Sequence, residues 1–353
     1  MNAPMSHAAT IRLADLHEPG EAARIERFVA EMEGSVFHRP LWLLAVERGT
    51  RNEALGLVLE RDGSIVGWLP FTAVTSPIFG NALVSSGFGV GGGALAAQSR
   101  DVEALCRAAE EVAQRRAFPT VELRGGSAPS DWQQVEGRHA NFSAELAEDD
   151  EAQLLAIPRK ARAEIRKGLA NDLEITTGNG EEDRAAHYAA YAESVRNLGT
   201  PVFPRSLFDA VLDRFGDAAD ILTVRHLGSP VASVLSLYHR GTVMPFWGGG
   251  SFAARGLRAN ERMYFELMCH ARRKGCTRFD FGRSKTGSGP FAFKKNWGFE
   301  PEPLTYWTWS AEGVEARNID PTDEGHSAKI ELWKKLPLRV ANTIGPWIAR
   351  GLG

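Results

Sequence analysis

The sequence predicts a mixed α/β protein in which one arrangement of elements occurs twice along the chain. Two observations carry that expectation. In each half, helices precede strands whose connections are too short for a crossover helix, so those strands pair antiparallel. In each half a long helical pattern then leads to one further strand that runs into glycines. Size and composition agree: 353 residues exceed what a single core commonly organises, and 43% hydrophobic with 24% charged residues is ordinary for globular chains.

The first half reads as a short strand over 10–14, a helix over 21–32 and a second helix over 38–47. On the second helix Trp42, Leu43 and Val46 form an apolar stripe. EALGLVLE and SIVGWLPFTAV flank the turn Arg61-Asp62-Gly63 and form a hairpin. NALVSSGFGVGGG is a strand that dissolves into glycines, followed by a helix over 99–116 and the strand TVELRG. The second half repeats the order, with helices over 159–169, 182–197 and 205–214, then the strands ILTVRHL, PVASVLSLYHR and TVMPFWGG. A helix over 257–274 and the strand CTRFDFG follow, and TYWTW is expected to close this second sheet. An antiparallel meander, a crossover helix and a further strand is the plan of the N-acetyltransferase-like (GNAT) fold. Tandem copies are therefore expected over 1–150 and 151–310, with a C-terminal extension over 311–353.

A formal charge of −3 argues against a globally basic nucleic-acid binder. Cys106, Cys269 and Cys276 show neither metal-ligand spacing nor a framework of pairs, so no metal site is expected. The opening segment lacks an apolar signal region, and no stretch has the length of a bilayer span. The expected location is cytoplasmic.

The densest chemical signal is FDFGRSKTGSGPFAFKKNWGFEP, residues 279–301. A strand ending in Asp280 enters a loop with Gly287 and Gly289, where exposed amides, helped by Arg283, Lys285 and Lys294, suit an anionic oxygen. The order GxxxxGK[ST] of a nucleoside-triphosphate loop is missing. A second signal is the run 158–167, where Arg159, Arg162 and Arg166 share a helix face suited to phosphates, or simply to water. A third lies at 191–208, where Tyr191, Ser194, Arg196 and Asn197 precede a glycine stop and are expected to line a cleft. A fourth is the WGGG run containing Gly249, with Arg255 and Arg258 before a helix whose free amides suit an anion.

Taken in order, these segments resemble the FemAB-like acyltransferase family, and within it the subgroup associated with PEP-CTERM/exosortase and exopolysaccharide loci. The likeness covers nearly the whole chain and rests on FHRPLW, IPRKARAEIRKG, SVRNLGTPVFPRSLF, RANERMYFELM and the 279–301 segment, among others. It implies transfer of an acyl or aminoacyl group to an amine, in cell-envelope or exopolysaccharide biogenesis. Asp280, Phe281 and Gly282 match the start of the family's D-F-G-G segment, and Phe293 and Lys294 its following F-K. Arg283 stands in place of the second glycine, and no coiled-coil arm interrupts the second domain.

On this likeness Asp280 accepts a proton or positions the amine, and Lys294 stabilises the oxyanion. Lys294→Met is then expected to abolish transfer and to leave stability nearly unchanged. No cofactor is firmly implied; the donor is aminoacyl-tRNA or acyl-coenzyme A, and the acceptor a lipid-linked or sugar amine. ARGLRAN has one glycine where a coenzyme A loop has two. Two other readings stand beside transfer by aminoacyl-tRNA: a non-catalytic scaffold, and a coenzyme A-dependent N-acyltransferase acting on a sugar or small amine. The tail 329–353 combines apolar residues with lysines and arginines. It either packs on the second domain or rests on an anionic membrane, with Pro337 and Pro346 expected to cut it into short pieces.

Overall fold

The computed structural model describes residues 9–315, 317 and 327–353. The chain divides into two compact units, the first made of Met1–Glu136, Thr305–Ile319 and Arg350–Gly353, the second of Gly137–Leu304 and Asp320–Ala349. Each contains one mixed sheet.

The first unit opens with β1 (Thr10–Leu13), α1 (Pro19–Glu31), α2 (Pro40–Thr50), β2 (Glu53–Arg61), β3 (Ser64–Val74) and β4 (Ala82–Ser85). It continues with β5 (Leu95–Ala96), α3 (Ser99–Arg115), β6 (Thr120–Arg124) and β7 (Gln133–Val135). Proline starts α1 and α2, where a missing amide costs nothing. Asp62 and Gly63 both take positive φ, 54° and 75°, which matches the twist of a two-residue hairpin. α3 buries Leu105, Cys106 and Ala109 against Leu57, Phe71, Leu83 and Leu123 of the sheet.

The second unit begins with β8 (His139–Glu145), α4 (Asp150–Ala156), α5 (Arg159–Ala170), β9 (Glu174–Gly178), α6 (Glu181–Leu198) and α7 (Arg205–Phe215). Its meander is β10 (Ala219–His226), β11 (Ser229–His239) and β12 (Thr242–Gly250), joined by the turns Leu227-Gly228 and Arg240-Gly241 with positive φ throughout. Then come α8 (Ala254–Leu257), α9 (Ala259–Arg273), β13 (Arg278–Asp280), β14 (Ser284–Lys285), α10 (Gly289–Asn296) and β15 (Pro301–Pro303). The chain ends with β16 (Tyr306–Ser310), α11 (Ser327–Lys334) and α12 (Leu338–Ala349).

The first sheet runs β1-β2-β3-β4-β6-β16-β7 with β5 on β3; the second runs β14-β8-β13-β12-β11-β10-β9 with β15 on β8. Every pair is antiparallel except β4–β6 and β12–β13. Those are the pairs that α3 and α9 cross over, as a parallel connection requires. The core of the second unit lies between its sheet and the helices α5 and α9, around Phe142, Ile165, Met263, Leu267 and Phe279.

Several sequence expectations are corrected. The TYWTW strand joins the first sheet, pairing β16 with β6 and β7, because Trp307 and Trp309 pack against the first core. The expected division at 150 falls instead at Glu136, since β8 pairs with β13, β14 and β15. The helix expected over 257–274 is broken at Arg258, whose φ is +53°. There α5 approaches so closely that a Cβ on Gly168 would lie 2.8 Å from the Arg258 carbonyl oxygen. Pro346 lies inside α12 rather than ending it. The extension packs on α6, with Arg196 donating to the Lys334 carbonyl at 3.0 Å; its segment 318–326 lies outside the described residues.

Phe142 is fully buried and is the one large apolar side chain of β8, whose other inward positions are alanines. Phe142→Ala should therefore destabilise the protein by about 3–5 kcal/mol. Urea denaturation reads this directly; an unchanged midpoint would remove β8 from the core.

Candidate functional site

The parallel pair β12–β13 holds register for two positions only, Thr242 with Arg278 and Val243 with Phe279. β12 then continues to Gly250 while β13 ends at Asp280, so the two strands part. Tyr264, on α9, bridges the opening. Its ring packs on Phe281 at 4.9 Å and Phe293 at 5.8 Å. Its hydroxyl reaches β12, where a Cβ on Gly248 would lie 3.1 Å from it.

The neighbouring glycines are required for a similar reason. A Cβ on Gly249 would stand 2.4 Å from the Ser194 hydroxyl of α6, and one on Gly250 would stand 2.5 Å from Oδ1 of Asn260. Three consecutive glycines thus let polar groups of two helices press against one strand. Among the described residues, buried Oδ1 of Asn260 has no hydrogen-bond partner. An unsatisfied buried acceptor costs about 1–3 kcal/mol, and natural proteins keep such atoms where a ligand or water serves them. Burial pushes the phenol of Tyr264 up to about 12 and that of nearby Tyr191 up as well, so both are hydroxyl donors at neutral pH.

Below this slot lies the loop after β13. The Lys294 side chain is 8% exposed and donates to three successive carbonyls: Phe281 at 2.6 Å, Gly282 at 2.8 Å and Arg283 at 3.2 Å. An ammonium has three N–H donors, and all are engaged. Its geometry therefore differs from the sequence expectation: it fastens the loop and holds no spare donor for an oxyanion. Burial pushes its pKa down to about 7, opposed by the charge of Asp280. The Asp280 carboxylate accepts the Gly282 N–H at 2.8 Å, and burial raises its pKa.

The other expected residues are dispersed. Gly289, expected in the loop, instead opens α10, which is capped by the Ser288 hydroxyl accepting from the Phe291 amide at 3.3 Å. Gly287 and Gly289 are exposed, but the Ser288 amide between them is spent on the half-buried Lys285's carbonyl at 3.1 Å. Arg283 faces solvent. On α5, Arg159 and Arg166 are exposed, whereas Arg162 donates to the Leu155 carbonyl at 3.0 Å. Arg258 is committed to Glu164 at 2.5 Å, and Arg255 lies over the exposed Phe252 ring at 5.5 Å. Asn197 sits half-buried in the last turn of α6. The structure thus brings together Asp280 with Lys294, and Gly249 with Ser194 and Tyr191. Tyr264 was missed because a tyrosine on an amphipathic helix carries no chemical signature by itself.

The equivalent opening of the first unit is closed. Its parallel pair ends at Ser85 and Leu123, and the next residue, Arg124, donates to the Gly89 carbonyl at 2.9 Å. The Trp42 indole donates to the Gly87 carbonyl at 3.0 Å, and the Ser85 hydroxyl to the Gly92 carbonyl at 2.8 Å. These contacts pin the glycine loop that the sequence left open. The second unit is the better candidate for chemistry.

Residues 158–295 match the acetyltransferase (GNAT) domain family. Solved structures agree on the fold. That of FemX superposes with a TM-score of 0.62 at 14% identity, covering 80% of this chain and 95% of that one. A tandem GNAT protein from the clavulanic acid biosynthesis pathway gives 0.57 at 12% identity, with 87% and 100% covered. The C-terminal domain of a protein assigned as a lysylphosphatidylglycerol synthetase of Agrobacterium fabrum gives 0.53 at 14%, with 82% and 92% covered. No curated protein matches. The fold is mixed α/β with tandem GNAT-type domains.

The Lys294 clasp yields a prediction opposite to that from sequence. Lys294→Met should lower the melting temperature and expose the 281–283 backbone to hydrogen exchange, because three buried carbonyls lose their donor. The pH dependence has a definite sign. With a folded pKa near 7 and an unfolded value of 10.5, the unfolded chain binds the extra proton between those limits. The contribution of Lys294 to stability therefore rises as pH rises through that window. Melts of wild type and Lys294→Met across pH 6–11 check it; parallel curves would refute the shifted lysine.

Proposed function

We propose that the second unit transfers an acyl or aminoacyl group onto an amine acceptor, in cell-envelope or exopolysaccharide biogenesis. The observation that carries this reading is the opening between β12 and β13. It combines an unpaired strand edge, a buried acceptor without a partner and a protonated Tyr264 hydroxyl. The acceptor amine supplies the nucleophile, so the protein needs no serine or cysteine. The nitrogen bonds to the acyl carbon, the carbonyl oxygen takes up charge, and collapse expels the donor's sulfur or ribose oxygen. Tyr264 is suited to donate to the oxygen that gains charge or to the leaving group. Asp280, with its raised pKa, is suited to accept the proton released by the amine. Lys294 acts by holding the loop that follows Asp280, not by touching substrate.

The exposed Arg159, Arg166 and Arg255 suit the phosphates of a donor, whether aminoacyl-tRNA or acyl-coenzyme A. The resemblance to FemAB-like proteins favours an aminoacyl donor, and the structural likeness to the domain named for lysylphosphatidylglycerol synthesis is compatible with it. The acceptor is then a lipid-linked or sugar amine. The PEP-CTERM association rests on the order of sequence motifs alone. We assign the domain division to the two contact units rather than to 150, with the site in the second.

Incubating the protein with charged tRNA or acyl-coenzyme A and amino-sugar acceptors, followed by mass spectrometry, tests the reading. An amide product with one donor class is expected. Tyr264→Phe should reduce its rate by about a hundredfold with the melting temperature nearly kept. Absence of any covalent product across all donors would leave the scaffold reading in its place.

A further inference from the structure

The last two helices leave one face uncovered. On α12 the small residues Ala341, Gly345 and Ala349 recur every fourth position and are buried. Contact there is close: a Cβ on Gly345 would lie 3.1 Å from the Val202 amide nitrogen. The opposite side of the same helix presents Val340, Ile344 and Trp347, with 44%, 39% and 57% of their surface exposed. Leu332 of α11 adds a fourth apolar side chain, 66% exposed. The turn between the helices carries Lys335, and the start of α12 carries Arg339, both exposed. The one acid in the segment, Glu331, is neutralised by Lys334 at 2.7 Å.

An exposed group of large apolar side chains on neighbouring helices marks a surface that meets something other than water. Its composition selects the partner. A tryptophan in an apolar row flanked by unneutralised cations is the pattern of an interfacial helix, whose ring and aliphatic groups enter the headgroup boundary while the cations meet lipid phosphates. No described helix is long and apolar enough to cross a membrane, so the contact is peripheral.

We propose that this face of α11 and α12 rests on an anionic lipid bilayer. A second copy of the chain fits less well. The exposed parts of four side chains fall short of the roughly 1,000 Å² that a specific protein interface clears. The positive rim also has no matching patch of its own kind to bind, whereas it complements anionic lipid directly. The inference stands apart from the transfer chemistry and would survive its failure.

Co-sedimentation of the full chain with vesicles of phosphatidylcholine, with and without phosphatidylglycerol, is the test. Binding to the anionic vesicles alone, weakened by salt, is expected. Each of Lys335→Gln and Arg339→Gln should weaken it about fivefold. Trp347→Ser should weaken it at any salt concentration while the melting temperature holds, since that side chain is not packed inside. Three results would overturn the proposal: protein left in the supernatant at low salt, binding indifferent to all three substitutions, or sedimentation equilibrium showing a dimer that Trp347→Ser dissolves.

Discussion

One buried ammonium sets the geometry on which the candidate site depends. Lys294 gathers the carbonyls of residues 281–283, the short link between β13 and β14, both of which pair with β8. The cost of taking a charge out of water is offset by three hydrogen bonds to carbonyls, while burial pushes the pKa down to about 7. The aromatic side chains around it, Phe142 and Phe281 among them, keep water from replacing those bonds.

The two units show how one plan of strands is put to different uses. Both contain a parallel pair made by a crossover helix, and both run into glycines where the pair ends. In the first unit the glycine loop is tied down by donors from Trp42, Ser85 and Arg124, so the opening is consumed by structure. In the second, the glycines lie on the strand itself and admit hydroxyl and amide groups from α6 and α9. Among the described residues each leaves a buried oxygen without a partner, Ser86 Oγ in the first and Asn260 Oδ1 in the second, so the difference lies in the glycine-loop backbone, which only the first unit ties down with side-chain donors. That contrast directs the functional reading to one half of the chain.

The same economy separates structural from available charges. Glu164 binds Lys167 and Arg258, and so turns part of the basic run on α5 into a helix-packing device. Arg162 is similarly spent on a carbonyl. Apart from the Glu164 pair with Lys167, the cations of that run that stay exposed are Arg159, Lys160 and Arg166.

The sequence by itself determined what local chemistry determines. Arg61-Asp62-Gly63 signalled a tight hairpin because Asp and Gly tolerate the positive φ that Asp62 and Gly63 take, whereas Leu227 and Arg240 take positive φ in the other two hairpins without a local signature. Proline and glycine punctuation placed α1, α6 and α7 within a residue or two, and the twofold recurrence of the plan disclosed the fold. Only the tertiary structure decided which strand joins which sheet. HANFSAE alternates polar and apolar residues, but two of its three apolar members are alanines, so the pattern carries little hydrophobic weight; TYWTW is rich in strand-favouring aromatics but says nothing of its partner, because a strand pattern fixes a face and not a neighbour. The role of Lys294 was hidden for a related reason: its carbonyl partners are ordinary backbone, and backbone has no sequence. Tyr264 and Asn260 are neighbours on one helix face in any helical reading, yet it takes the parting of β12 from β13 to turn that face into a site.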